Sequence, residues 1–284
     1  MGKTSKGGVG KVYEARAPRS CAFPLLQQAK GMIMQNWEKA LHKFLAKWKS
    51  RRDMIGAVLV GSYAVGNPSK HSDIDIHLVL SDAVKWRERG NKYIDGFLIE
   101  YFANPLRQLK KYQIDELKGG RKTDIRMFAT GKIIFEKTGE VAQFQHESKK
   151  LMSKKFKKTS KFWVETVKYT LWDQLDDMRD AADDKSSDFL YLYYIQLETL
   201  LVVYSRYLGA EITARAKLQK YFNDKRFRDR YGIPEFPDKI FERQFLLCMN
   251  KPAFSKLERL TKYVLDKLGG FNIDGWKFRS RVEP

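Results

Sequence analysis

Apolar positions from Phe23 onward recur at three- and four-residue spacing: Leu25, Leu26, Ala29, Ile33, Trp37, Ala40, Leu41, Phe44 and Trp48. That period predicts one long helix with a single apolar face. The pattern then changes. Ile55 to Val60 is a short continuous apolar run, suited to a buried strand. Ile74 to Leu80 reads as a second strand and Tyr93 to Phe102 as a third, with Asp95-Gly96 as a hairpin turn inside it. A fourth, short strand is predicted at Lys132 to Glu136, with helices over 104–118 and 121–129 before it.

Beyond residue 140 no strand pattern remains. Helical periodicity runs through 140–158, 160–184, 187–208, 213–223, 238–249 and 252–268. Ser187 and Asp188 are suited to start a helix, and Gly209, Pro234 and Gly269-Gly270 to stop one. The expected fold class is therefore α+β: a mixed sheet flanked by helices, followed by an all-helical region. The expected division is a flexible basic arm over 1–22, a sheet-containing domain over 23–145 and a helical domain over 146–284.

Charge sharpens this picture. The 284 residues hold 54 Lys plus Arg against 34 Asp plus Glu, a formal net charge of +20, while 43 % are hydrophobic. Disorder is excluded by that apolar content, and the charge points to a polyanionic partner such as nucleic acid or nucleotide phosphate. Two cysteines, Cys21 and Cys248, cannot form a disulfide framework. No apolar run reaches membrane-spanning length and no secretory pattern is present, so a cytoplasmic, membrane-free protein is expected.

The chemistry concentrates between the first two strands. Val58-Leu59-Val60 runs into Gly61-Ser62, a loop follows through Gly66, Asn67, Pro68 and Ser69, and Asp73-Ile74-Asp75 opens the next strand. Glycine lets the backbone turn tightly, leaving N–H groups and the Ser62 hydroxyl facing a space suited to phosphates. Residues two apart on a strand share a face, so Asp73 and Asp75 point together while Ile74 and Ile76 point into the core. Adjacent carboxylates repel unless a cation lies between them, and Mg²⁺ favours that oxygen environment. Glu100, in Leu98-Ile99-Glu100-Tyr101-Phe102, is the candidate third acid. Its apolar neighbours imply burial, and a buried carboxylate needs a cation or base beside it. The competing reading leaves Glu100 in solvent on an edge strand.

Gly-Ser, ten residues, then Asp-Ile-Asp, with a later acid on a neighbouring strand, resembles the DNA polymerase beta-type nucleotidyltransferase superfamily over residues 55–102 and, in layout, to 140. The resemblance implies two Mg²⁺ held by Asp73, Asp75 and Glu100, and an NTP, expected to be ATP, contacting Gly61, Ser62 and Ser72. It implies an enzyme that transfers a nucleoside monophosphate to a hydroxyl, with Glu100 a candidate general base. The appended helical region is similar in architecture to antibiotic nucleotidyltransferases of the kanamycin type, which makes an aminoglycoside-like small molecule the expected acceptor. RNA or tRNA is the alternative acceptor, and a non-catalytic NTP-binding or regulatory protein is the alternative class.

Two charge patterns bear on the acceptor. Lys149, Lys150, Lys154, Lys155, Lys157, Lys158 and Lys161 cluster at the domain junction, either as a solvated face or beside a phosphate path. Asp173, Asp176 or Asp177, Asp180 and Asp184 share one helical face, either to attract a cationic acceptor or to sit in water and pair with lysines. Lys6-Gly7-Gly8-Val9-Gly10-Lys11 resembles part of a phosphate-binding loop but lacks the preceding strand and the Ser or Thr that such a loop needs. His42, His71, His77 and His146 have no metal-ligand spacing with the cysteines. The aromatic row from Phe189 to Tyr207 is expected to pack a helical core.

Overall fold

The computed structural model describes residues 23–211 and 215–279. The expected arm over 1–22, with Cys21 and the Lys6–Lys11 glycine run, lies outside them. Helix α1 (Phe23–Lys49) leads into β1 (Met54–Val60), the four-residue helix α2 (Gly61–Ala64) and β2 (Ile74–Leu80). The hairpin β3 (Glu88–Ile94) and β4 (Phe97–Pro105) follows, then α3 (Leu106–Lys118), α4 (Thr123–Thr130), β5 (Lys132–Glu136) and α5 (Glu140–Met152). The strands form one mixed sheet in the order β3-β4-β2-β1-β5, with β2 and β4 parallel and the other pairs antiparallel.

Side-chain alternation makes the two sheet faces different. Leu59, Ile74, Ile76, Leu78, Ile99 and Ala103 point to one side and pack against Trp37, Leu41, Phe44 and Leu45 of α1. All of these are buried. Val58, Val60 and Val79 point to the other side, where Leu106 and Leu109 of α3, Phe128 of α4 and Val141 and Phe144 of α5 cover them. That second cover does not extend along the whole sheet. At its open end lie Asp75 and Glu100, directly opposite each other on β2 and β4.

Three elements depart from the sequence expectation. The hairpin turns at Asp95-Gly96 as anticipated, with φ of 50° and 83°, but its first strand begins at Glu88 rather than Tyr93. Glu88 to Lys92 are polar and mostly exposed, so this edge strand carries no alternation to detect. Helix α5 ends at Met152, and residues 153–160 are irregular. Like charges at three- and four-residue spacing among Lys154, Lys155, Lys157 and Lys158 oppose a continued helix. Ser160 restarts it, its hydroxyl accepting the Trp163 amide at 3.1 Å.

The rest of the chain is helical: α6 (Lys161–Asp183), α7 (Phe189–Leu208), α8 (Leu218–Asn223), α9 (Lys225–Tyr231), α10 (Lys239–Asn250) and α11 (Phe254–Lys267). Helix α9 is the third departure. Its sequence, Lys-Arg-Phe-Arg-Asp-Arg-Tyr, is too charged and short to show a periodic face, yet the Asp224 carboxylate accepts the Phe227 amide and starts it. Tyr193 and Tyr204 are buried in this region's core, whereas Tyr191 and Tyr194 are exposed. Glu211 joins the two halves. Its carboxylate accepts hydrogen bonds from the Lys122 amide at 2.7 Å and from the Arg126 guanidinium, and all three residues are buried. Removing one partner from a buried pair of this kind costs about 3–5 kcal/mol.

Candidate active site

β1 is buried at every position and ends at Val60. The chain then turns through Gly61 at φ +67°, a conformation that a Cβ disfavours. Space also demands glycine here. A Cβ on Gly61 would lie 2.2 Å from the Asp75 Oδ2 atom. The turn is therefore pressed directly against one carboxylate of the cluster. Ser62 takes its place in α2, and its carbonyl accepts the Asn67 amide at 2.8 Å. Ser72 has a role inside the loop: its hydroxyl accepts the Ser69 amide at 2.8 Å and lies 3.1 Å from the Ser69 hydroxyl. This closes the segment that delivers Asp73 to the start of β2.

Asp73, Asp75 and Glu100 converge. Each offers a carboxylate oxygen within 4.8 Å of the others, and all three are half-buried. The β2–β4 register explains it, because Asp75 faces Glu100 across parallel strands and Asp73 precedes Asp75 by two residues. Like charges opposed in this way repel. At Asp75, burial, then the charges of Asp73 and Glu100, push the carboxyl up to about 7. A donor set of three crowded, partly dehydrated carboxylates fits a hard divalent cation, which would relieve both the repulsion and the burial cost.

Glu100 is not on an edge, because β3 lies outside β4. The cation anticipated beside it is Arg89 of β3, whose Nη2 atom donates to Glu100 Oε1 at 2.6 Å. The Glu100 side chain is 18 % exposed and that of Arg89 69 %. The Arg89 guanidinium also lies 4.8 Å from the Phe102 ring centroid. Sequence reasoning missed Arg89 because it sits on the unpredicted part of the hairpin.

Behind Asp75 on the same face, His77 is buried, stacked on Phe102 at 5.1 Å and tilted against Phe128 at 4.7 Å between ring centroids. Neither ring nitrogen has a hydrogen-bond partner among the described residues, and burial lowers its pKa to about 4. It is a neutral wall of the site rather than a ligand. From the helical half, Arg230 of α9 donates to Asn67 Oδ1 at 2.8 Å, so that half borders the loop between Gly61 and Asp73.

A search of curated proteins finds no match. Among solved structures, the chain is similar to a nucleotidyltransferase-like protein from Exiguobacterium sibiricum, with 12 % identity, a TM-score of 0.39, and 82 % of this chain and 77 % of that one covered. At that level the similarity bears on neither fold nor activity. The nucleotidyltransferase domain family matches residues 41–135, which span the last third of α1, the five-stranded sheet up to Phe135 and all three carboxylates. Residues 41–135 are a nucleotidyltransferase domain of the polymerase beta-like superfamily.

Proposed function

We propose that the protein transfers a nucleoside monophosphate from an NTP, taken to be ATP, to a hydroxyl-bearing acceptor with the help of Mg²⁺. The observation that carries this reading is the convergence of Asp73, Asp75 and Glu100 at the open end of one sheet face, inside the matched domain. Asp73, Asp75 and Glu100 are the residues that would hold the metal. When bound, it would supply charge neutralisation for the triphosphate and a lower pKa for the acceptor hydroxyl.

The protein's own groups do the rest. The Gly61-Ser62 turn supplies backbone donors and a hydroxyl beside Asp75, where the phosphates would lie. Arg89 holds Glu100 in place toward the cluster. The acceptor oxygen bonds to the α-phosphorus, the bond from that phosphorus to the β-bridging oxygen breaks, and pyrophosphate leaves. The hydroxyl proton passes to the carboxylate cluster, with Glu100 the candidate acceptor.

A cationic small molecule, the aminoglycoside-like acceptor, would draw on the acidic face of α6. Asp176 there is paired with Arg179 at 2.7 Å, and no acid of α6 takes a hydrogen bond or ion pair with the 61–75 segment or β4 among the described residues.

The test is label transfer. Protein, Mg²⁺ and each NTP labelled at the α-phosphorus are incubated with RNA, aminoglycosides or protein in separate reactions. The reading expects label on one acceptor class and none when the label is at the γ-phosphorus. Absence of both transfer and NTP binding would instead favour the non-catalytic alternative.

A further inference from the structure

A block of positive charge without ion-pair partners among the described residues adjoins the site through a chain of contacts. Lys149 and Lys150 end α5, and Lys154, Lys155, Lys157 and Lys158 occupy the irregular segment after it. All six are exposed, and none forms an ion pair with an acid among the described residues. This segment is fixed to the fold rather than hanging free. Lys122 Nζ donates to the Met152 carbonyl at 2.6 Å and lies 5.0 Å from the Phe156 ring centroid.

Its next neighbour is the end of α9. A Cβ placed on Gly232 would sit 3.7 Å from Met152 Cε. Two residues earlier, Arg230 reaches Asn67 in the loop that leads to Asp73. Arg226, one turn before Arg230 on α9, is also exposed and unpaired among the described residues. Cations thus run from the α5 end, past α9, to the loop beside the carboxylates.

We propose that this basic path holds the phosphodiester backbone of a single-stranded nucleic acid whose terminal hydroxyl is the acceptor. The proposal rests on the nucleotidyltransferase reading for the identity of the reaction, but its binding claim stands on the lysines alone. A backbone spaces its negative charges along a line, as this path spaces its positive ones, and releases counterions when neutralised. A single strand suits it because the acceptor hydroxyl is a chain end, which must reach the carboxylates beside the loop that Arg230 touches. An anionic membrane surface would meet the same exposed lysines but offers no terminal hydroxyl for the carboxylate cluster, so vesicle binding is the outcome set against the proposal.

The test is fluorescence anisotropy of labelled single-stranded RNA, and of DNA of the same sequence, in EDTA without NTP. The comparison sets wild type against the quadruple variant Lys154→Ala/Lys155→Ala/Lys157→Ala/Lys158→Ala. These side chains are exposed in an irregular segment, and circular dichroism checks that the variant folds. Binding should weaken by about tenfold or more, and the slope of log K against log salt should shrink by roughly 3, since each phosphate contact to a single strand contributes about 0.7. Arg230→Ala should weaken it less, and Asp176→Ala/Asp177→Ala not at all. RNA binding stronger than DNA would assign an RNA acceptor, and the reverse a DNA acceptor; both support the path.

Wild-type affinity unchanged in the quadruple variant would overturn the proposal. So would binding to phosphatidylserine vesicles with no binding to either oligonucleotide. The two claims fail separately. Lysine-dependent RNA binding with no label transfer to any acceptor would remove the transferase reading and keep the path. Label transfer to a small molecule by a protein that binds no oligonucleotide would do the opposite.

Discussion

The two faces of the sheet are built from the same strands and serve opposite ends. On β2, Ile74, Ile76 and Leu78 face α1 and are fully buried in an apolar layer. Asp75 and His77, interleaved with them, face the other way into partial cover. Burial on the first side stabilises by removing apolar surface from water, at about 25 cal/mol per Å². Burial of these two polar groups on the second side destabilises: it raises the Asp75 carboxyl and leaves the His77 nitrogens without partners among the described residues. Both faces bury apolar side chains, but only the second, where the cover of α3, α4 and α5 gives out, spends part of that energy to keep three carboxylates crowded and partly dry.

The sharpest way to separate the faces is to change one residue on each. Asp75→Asn and Asp73→Asn should each lower nucleotidyl transfer by about three orders of magnitude or more, with the fold retained by circular dichroism. Ile76→Ala, one residue away on β2, should do the reverse: about 2–5 kcal/mol lost in urea unfolding, with the remaining folded protein still able to bind metal. Loss of stability in the Asp variants, or full activity in them, would break the division of labour.

A smaller effect tests how closely the turn is fitted to the cluster. Gly61→Ala places a methyl where Asp75 Oδ2 now lies and strains a positive φ. Mn²⁺ affinity by isothermal titration should fall by about tenfold, since 1.4 kcal/mol of misplacement is a factor of ten. Gly66→Ala is the control, because no atom lies within 4 Å of the position its Cβ would take. Equal affinities for the two variants would show that the turn does not shape the site.

The smallest effect concerns pH in metal-free protein. Asp75 titrates near 7 when folded and near 3.8 as an ordinary carboxyl, so between those values the folded state binds more protons than the unfolded one. Its contribution to stability is therefore lost as pH rises across that window. In EDTA, Asp75→Asn should gain thermal stability over wild type, with a gain that is small near pH 4 and complete above about 7. His77 tilts in the other direction. Its pKa is near 4 folded against 6.5 ordinarily, so it costs stability as pH falls through that range in both proteins, and it cancels in the comparison. A gain that does not vary with pH would show that Asp75 is not the strained group.

Much of this site can be read from the sequence because β1 and β2 are written in unmistakable patterns. An unbroken apolar run and the Asp-Ile-Asp alternation place Gly61, Asp73 and Asp75, while Glu100 comes beside them through the parallel pairing of β2 and β4. The two cations at the site were not legible, and for one reason. Arg89 lies on an exposed polar edge strand, and Arg230 lies on a short helix made mostly of charged residues. Neither element buries enough apolar surface to leave a periodic mark, so each is formed by its partners: β3 by pairing with β4, and α9 by the Asp224 cap and the burial of Phe227 and Arg228. The lysine run is plain in the sequence but its irregular backbone is not, since its residues favour a helix singly and oppose one together.

The central claim is that Asp73, Asp75 and Glu100 form one metal site that receives a nucleoside triphosphate. Crystals grown with Mn²⁺ and a non-hydrolysable ATP analogue test it most directly, through anomalous scattering from the metal. The account predicts manganese among these three carboxylates, Glu100 reached from its place beside Arg89, and the triphosphate lying against Gly61 and Ser62. Manganese bound elsewhere, or a nucleotide seated away from the Gly61 turn, would contradict it.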